Sequence, residues 1–455
     1  MPGYADYNKL YLEEYKTLKW EGYDVDSHIN NDEGSPDFMP DPKNAQGYPQ
    51  GDDFWEKPYC NLVKIMDTEI REDYPYFEPN DYDDIMSEAG EAPKLEPLSS
   101  SEYEKRLYGA FYGRCAAVIL GKPLEMGLTK EFIKKYLESV DAYPLNDFVP
   151  EYSSELDFRL RGDCIHSARG HVAFAQSDDD IHYTLLGLLL LECQGLKFTK
   201  LDVGVNWMNQ IPYLWCWCAS RVAYYHLVGG KLDIDKIPYT INPWRECIDG
   251  QIRTDIWGYV FPADIKNASK YAHRDTSFSL TKNGIYGGMF VAGALAGALS
   301  KNPTVDKIID SGLAAIPKKS RLAEAINDVR RWYRENGDWS KTADLLLEKY
   351  KEIPCEGTIN NMAVVALGII AGELDYTRSI TIATMCGLDT DCNAGTVGSI
   401  IGAAVGIDKI EKRWYEPLND TIKSAVASFG TCKISNICKR IIAIKERIEK
   451  GEIKE

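Results

Sequence analysis

The stretch GLDTDCNAGTVGSIIGAAVG, residues 387–406, combines the two features that decide how this chain folds. Asp389 and Asp391 come first, and a run of small residues follows them. Small residues that recur on one face of a helix let a second helix backbone approach closely. The stretch therefore predicts a tightly packed helix that carries two carboxylates at its N-terminal end.

A second run of small residues lies in YGAFYGRCAAVILG. Gly109, Gly113, Ala117 and Gly121 recur every four residues, so on a helix they share one face. The simplest interpretation of this stripe is close helix packing.

A second acidic cluster lies in QSDDDIHY, residues 176–183, directly before the apolar run TLLGLLLLE. An acidic first turn suits the positive end of a helix, and Gly195 is a typical C-terminal stop. The pattern therefore predicts a helix start with three adjacent carboxylates, those of Asp178, Asp179 and Asp180.

One aspartate at a helix start is usually a cap. Two or three exceed what capping needs, because a helix dipole supplies only about half a charge. A divalent cation would offset the remaining repulsion, and carboxylates with hydroxyls are hard ligands that suit Mg²⁺, Mn²⁺ or Ca²⁺. Both acidic clusters together predict a site for two metal ions.

The rest of the chain favours an all-α fold. Of its 455 residues, 44% are hydrophobic, which is enough for a sizeable core. Several stretches have helical periodicity and few alternate as strands do. The apolar runs are shorter than the roughly 20 residues that a membrane span requires.

Residues 1–100 have a different composition from the remainder. They contain 24 Asp and Glu against 8 Lys and Arg, whereas residues 101–455 are almost neutral. Frequent Pro, Asn and Asp predict an irregular segment with one short helix near YNKLYLEEYKTL, and its many aromatic residues argue against disorder. We expect an acidic N-terminal extension packed on a helical domain of residues 101–455.

Composition also excludes some functions. Basic residues are not concentrated anywhere, which argues against nucleic acid as a partner. The 12 cysteines show no paired CxxC pattern and are expected to be reduced. The first residues lack the plan of a signal peptide, so a cytoplasmic location without a membrane partner is expected.

Three motifs in order, GRCAAVILGKPLE, SDDDIHY and GLDTDCNAGTVGSIIGAAVG, resemble the signatures of the ADP-ribosylglycohydrolase family. The resemblance covers about residues 103–430. The stretches GQIRTDIWGY and TKNGIYGGMF resemble a bacterial branch whose substrate is unassigned.

The resemblance implies an orthogonal all-α helical bundle around a binuclear centre of two Mg²⁺ ions, with Mn²⁺ as an alternative. It implies catalytic roles for Glu125, Asp179 and Asp389. The implied metal ligands are Ser177, Asp178, Asp179, Asp389, Asp391 and Cys392.

The chain departs from the family pattern at four positions. Cys392 replaces a threonine ligand, and a thiol is a poor match for Mg²⁺. Asp180 replaces a second threonine, and Val118 replaces an aspartate of the first motif. Leu280 stands where the family tends to have a histidine that holds the distal part of ADP-ribose.

Five further residues are candidates for substrate binding. Arg253, Asp255 and Trp257 are predicted to form a loop over the site, where Arg253 would meet a phosphate and Trp257 would stack on a base. The alternative is an Arg253–Asp255 ion pair with Trp257 in the core. Asn283 and Gly284 would present an amide and backbone N–H groups to a phosphate or ribose, unless they form only a turn.

The resemblance implies a metal-dependent hydrolase of the N- or O-glycosidic bond at the anomeric ribose carbon. The substrate would be a small ribosyl or ADP-ribosyl compound, or an ADP-ribosylated protein. One alternative is a hydrolase of another furanosyl or nucleoside glycoside. Another is a non-catalytic binding or structural member of the family.

Overall fold

Helices dominate the computed structural model, which describes residues 5–125, 127–230 and 232–455. Within these ranges the strands form only two short antiparallel ladders, so the predicted all-α class is confirmed. No helix in the described part of the chain is long and apolar enough to cross a membrane.

The α-helices are α1 (Tyr7–Trp20), α2 (Asp52–Val63), α3 (Tyr82–Glu88), α4 (Ser100–Gly121), α5 (Lys130–Ser139), α6 (Asp179–Gln194), α7 (Lys200–Gln210), α8 (Cys218–Gly229), α9 (Asp249–Arg253), α10 (Asp255–Val260), α11 (Ile265–Thr276), α12 (Lys282–Ala298), α13 (Val305–Leu313), α14 (Arg321–Asn336), α15 (Trp339–Lys349), α16 (Thr358–Gly372), α17 (Tyr376–Met385), α18 (Thr390–Val405), α19 (Lys412–Tyr415) and α20 (Ile434–Glu449). Short 3-10 helices cover Asp26–His28, Pro42–Gly47, Lys64–Asp67, Lys122–Leu124, Gly162–Ser167, Gly195–Lys197, Tyr213–Trp215, Ile234–Tyr239, Ile407–Lys409 and Glu416–Leu418. The strand pairs are β1 (Tyr152–Ser153) with β2 (Phe158–Arg159) and β3 (Thr421–Lys423) with β4 (Thr431–Lys433).

The chain forms two compact units. The first contains the residues up to Tyr76 together with Tyr239–Arg245, and the second contains the remainder. The predicted domain boundary near residue 100 stays a prediction.

A buried ion-pair network organises the first unit. The Arg245 guanidinium lies 2.6 Å from a carboxylate oxygen of Glu14 and 2.8 Å from one of Glu21, and all three residues are buried. This pairing satisfies charges that would be costly to bury alone. It fixes the segment of Arg245 against α1.

The N-terminal residues are more regular than their composition predicts. The expected helix is present as α1, with Asp6 as its N-cap. The additional helix α2 was not expected from this composition, and it accommodates Pro58, which removes one helical hydrogen bond. Long segments between these helices are irregular, as predicted.

Helices α4 and α18 form the centre of the second unit, and their glycines explain how closely they pack. A Cβ atom on Gly109 would lie 2.4 Å from the carbonyl oxygen of Gly402, and one on Gly113 would lie 2.6 Å from that of Gly398. A Cβ atom on Gly121 would lie 2.3 Å from the carbonyl oxygen of Thr390. Residues later in α4 face residues earlier in α18, so the two helices are antiparallel. The start of α18 therefore lies beside the end of α4.

Candidate metal centre

The N-terminus of α6 carries the first acidic cluster. Asp178 is the N-cap, and its Oδ1 accepts a hydrogen bond from the backbone N–H of Asp180 at 3.0 Å. The segment before it is held by β3, because Ala175 exchanges backbone hydrogen bonds with Thr421 and Lys423. Strand β3 thus fixes where the aspartates enter the site.

The N-terminus of α18 carries the second cluster, and both Asp389 and Asp391 are buried. The backbone N–H of Asp389 donates to Oδ1 of Asn361 at 3.2 Å, and Nδ2 of Asn393 donates to the same oxygen at 2.7 Å. The hydroxyl of Thr390 donates to the carbonyl of Gly121 at 2.7 Å. These bonds connect the turn to α16 and α4.

The structure brings the two clusters together. One set of possible ligand atoms belongs to Asp178, Asp179 and Asp180, and these atoms lie within 4.8 Å of one another. The sets Glu125–Asp389–Asp391 and Asp180–Asp391–Cys392 meet the same limit. Because these sets share members, the carboxyl groups at the starts of α6 and α18 and that of Glu125, which follows the 3-10 helix Lys122–Leu124, form one acidic cluster.

Electrostatics in this cluster disfavour so many negative charges. Burial, followed by the charge of Asp178, raises the pKa of Asp179 well above its usual range. Burial, followed by the charge of Asp391, also raises the pKa of Asp389 well above its usual range. Burial and the charges of Asp391 and Asp178 raise the pKa of Glu125 to about 9, although Arg161 lies 3.1 Å from its carboxylate.

Lys122 is a member of the cluster that the sequence analysis missed. Its Nζ donates to Oδ2 of Asp178, and both side chains are largely buried. Burial alone would lower the pKa of the ammonium, but the charges of Asp178 and Asp391 outweigh it and raise the pKa. The only indication in the sequence was its position between Gly121 and Glu125 in the motif GRCAAVILGKPLE.

Arg114 explains why a third aspartate is tolerated. Its Nη2 lies 3.1 Å from Oδ1 of Asp180, and its Nη1 lies 3.0 Å from Oδ2 of Asp255. All three side chains are buried. Asp180 thus shares an arginine with Asp255, whereas Asp178 has Lys122 beside it and Asp389 has no ion pair among the described residues.

The donor set fits divalent cations. Oδ1 of Asp389 is buried and has no hydrogen-bond partner, and the remaining carboxylates supply hard oxygen donors. The other two predicted ligands have different partners here. The Ser177 hydroxyl lies 3.0 Å from Nε2 of His182, and the Cys392 thiol donates to Oδ2 of Asp180 at 3.1 Å.

Arg253, Asp255 and Trp257 lie in the interior on α9 and α10, not on the loop that was expected. Arg253 Nε lies 3.2 Å from Oδ1 of Asp275, and Trp257 donates its indole N–H to Oδ2 of the same residue at 2.9 Å. Their contact with a substrate stays a prediction.

Asn283 and Gly284 lie in the first turn of α12. The Asn283 amide donates to Glu78 at 2.8 Å and to Glu246 at 2.7 Å, and its Oδ1 accepts from the backbone N–H of Leu322 at 3.1 Å. These bonds give Asn283 a structural role, and its substrate role also stays a prediction.

A family model for ADP-ribosylglycohydrolase matches residues 99–448. A solved structure described as an ADP-ribosylglycohydrolase-related protein complex is similar to the chain with a TM-score of 0.48 and 15% identity, over 76% of this chain and 99% of that one. No curated protein matches the chain. The family match spans most of the chain and includes every residue of the acidic cluster, and the chain therefore belongs to the ADP-ribosylglycohydrolase family.

Proposed function

We propose that the chain is a metal-dependent glycoside hydrolase that cleaves the N- or O-glycosidic bond at the anomeric ribose carbon of ADP-ribosylated or related ribosyl compounds. Family membership supports a glycosyl hydrolase kind of function. The observation that carries the finer proposal is the approach of Glu125, Asp389 and Asp391 to within 4.8 Å, beside the aspartates of α6.

Asp178, Asp179, Asp389 and Asp391 are the residues that would hold two Mg²⁺ or Mn²⁺ ions. Bound ions of this type neutralise the carboxylates and act as Lewis acids toward water and ribose hydroxyls. Ser177 can keep its contact with His182 and still offer an oxygen lone pair, whereas a ligand role for Cys392 requires its thiol to leave Asp180. We therefore assign the main binding energy to the four aspartates.

The chain's own carboxyl groups supply the rest of the chemistry. Cleavage at an anomeric carbon passes through a state with cationic character, which nearby carboxylates stabilise. Glu125 lies beside these aspartates and would donate a proton to the leaving group. Asp179 and Asp389, whose negative charges the bound cations would offset, would accept a proton from the attacking water.

The test is a panel of ribosyl substrates, incubated with Mg²⁺ or Mn²⁺ and analysed by chromatography. The panel contains N-linked and O-linked ADP-ribosyl peptides, free ADP-ribosyl compounds and nucleosides. We expect release of a ribosyl product from at least one class and its loss in Asp391→Asn. Asp408→Asn, at an aspartate paired with Lys105 on the surface, is the matched control and should keep full activity.

The same panel separates the proposal from its alternatives. Turnover of nucleosides alone would favour another furanosyl hydrolase, for which the buried Leu280 in place of a histidine is the motivating observation. Divalent ion binding without turnover of any class would contradict the hydrolase proposal and favour a binding role.

A further inference from the structure

A second cluster of metal-ligating side chains contains sulfur. One ligand atom from each of Cys218, Cys247 and Asp249 lies within 4.8 Å of the others. The first of these residues begins α8 and the last begins α9. None of the three belongs to the acidic cluster.

The contacts of Asp249 are unusual for a buried carboxylate. Its Oδ1 accepts from the backbone N–H of Ser220 at 3.0 Å, and its Oδ2 accepts from the thiol of Cys247 at 2.6 Å. In the part of the chain that the structure describes, no lysine, arginine or histidine forms an ion pair with it. Buried charges are normally paired or coordinate a metal, so this carboxylate favours a cation.

The two thiols add sulfur donors beside this carboxylate, and Cys247 is buried with it. A cation bound here would replace the thiol protons and offset the negative charge of Asp249.

The position of Cys218 is suited to a ligand that enters from outside. Its side chain is half-buried, and its φ of 42° is rare for a residue with a side chain. Backbone strain of this kind is concentrated at functional sites. Cys218 is thus the partly exposed member of the cluster, whereas Cys247 and Asp249 are buried.

The cluster also has a rigid support. The carbonyl of Cys247 accepts from the hydroxyl of Thr358 at 2.7 Å, and the N–H of Ile248 donates to the carbonyl of Glu356 at 2.9 Å. Metal sites need such fixed surroundings to hold their ligands in place.

We propose that Cys218, Cys247 and Asp249 bind one divalent cation of the Zn²⁺ class. Two thiolates and one carboxylate match the ligand preference of this borderline-soft ion, whereas Mg²⁺ prefers oxygen ligands alone. The fourth position is taken by water. Binding releases the two thiol protons, involves no oxidation and ties α8 to α9.

Co²⁺ is the probe, because thiolate ligands give it a characteristic charge-transfer absorbance. The reduced full-length protein, freed of metal with a chelator, is titrated with Co²⁺ and then with Zn²⁺. We expect one thiolate-bound Co²⁺ per chain that Zn²⁺ displaces. The absorbance should disappear in the double variant Cys218→Ser with Cys247→Ser. It should persist in the control double variant Cys60→Ser with Cys193→Ser, which removes two exposed thiols.

Further variants make the result decisive. Asp391→Asn should keep the thiolate signal, so failure of the acidic cluster and failure of this site are distinguishable. If the double cysteine variant does not fold, judged by circular dichroism, Cys218→Ala alone must lose the signal. An absent signal in the intact chain, or an unchanged one in the cysteine variants, overturns the proposal. A Cys218–Cys247 disulfide that forms in place of metal binding also overturns it.

Discussion

Gly121→Ala perturbs the point where α4 meets the start of α18. The added Cβ atom would lie 2.3 Å from the carbonyl oxygen of Thr390 and 2.6 Å from Cα of Asp391. Both are backbone atoms, so no side chain can rotate away. Ordinary contact begins near 3.4 Å, and the start of α18 must therefore move by about 1 Å.

That movement has two consequences. Overpacking of this kind costs about 1–3 kcal/mol of the free energy of unfolding, and in a chain of this length it lowers Tm by roughly 1–3 °C. A displacement of about 1 Å also exceeds the tolerance of roughly 0.5 Å within which a metal site must be held. We expect the affinity for Mg²⁺ to fall at least about tenfold, which is ~1.4 kcal/mol.

Two matched glycine variants isolate these effects. Gly398→Ala creates a clash of 2.6 Å with the carbonyl oxygen of Gly113, but it lies about 10 Å along α18 from Asp391. It should lower Tm and leave Mg²⁺ affinity nearly unchanged. Gly229→Ala meets nothing within 4 Å and should change neither quantity.

The measurements are thermal unfolding by circular dichroism and Mg²⁺ titration by calorimetry. The reasoning is refuted if Gly121→Ala binds Mg²⁺ as tightly as the intact chain, or if Gly229→Ala is as destabilising as the other two variants.

Two further predictions concern buried charge. Arg114→Met leaves Asp180 and Asp255 without their counterion and should lower the free energy of unfolding in urea by about 3–5 kcal/mol. The exposed control Arg334→Met, at an arginine loosely paired with Asp306, should cost under about 0.5 kcal/mol, and equal losses would contradict the argument. Burial lowers the pKa of His273 below 6.5, so its contribution to stability is complete above that pH and is lost as the pH falls toward the lowered value. His273→Gln should therefore flatten the fall in unfolding free energy between about pH 7.5 and 5, and an unchanged slope would count against this assignment.

Local patterns predicted the centre of the fold. The four-residue spacing of Gly109, Gly113, Ala117 and Gly121 indicated a close helix contact, and the structure places that face against α18. The acidic first turn and Gly195 correctly indicated the ends of α6. Such features are visible in sequence because they depend on the periodicity of a single helix.

Long-range partners could not be predicted in the same way. The pairing of Arg114 with Asp180 and Asp255 joins three distant parts of the chain, and no local spacing indicates it. Arg253 was considered as a partner of Asp255, but it pairs with Asp275, because the short helices α9 and α10 direct the two side chains to different neighbours.

Burial was the second property that sequence could not supply. A lysine that follows a helix is usually solvated, yet Lys122 lies inside the acidic cluster. The pair Cys218 and Cys247 is separated by 28 residues with no metal-binding spacing. Both observations depend on the packing of several helices around one point.

The most direct test of the account is the number of divalent ions that the chain binds. Mg²⁺ and Mn²⁺ are titrated by calorimetry into the intact protein, into Asp389→Asn with Asp391→Asn, and into the control Asp408→Asn. The account predicts about two ions for the intact chain and the control and none at this site for the double variant. Equal binding by all three proteins, or no binding by the intact chain, would contradict it.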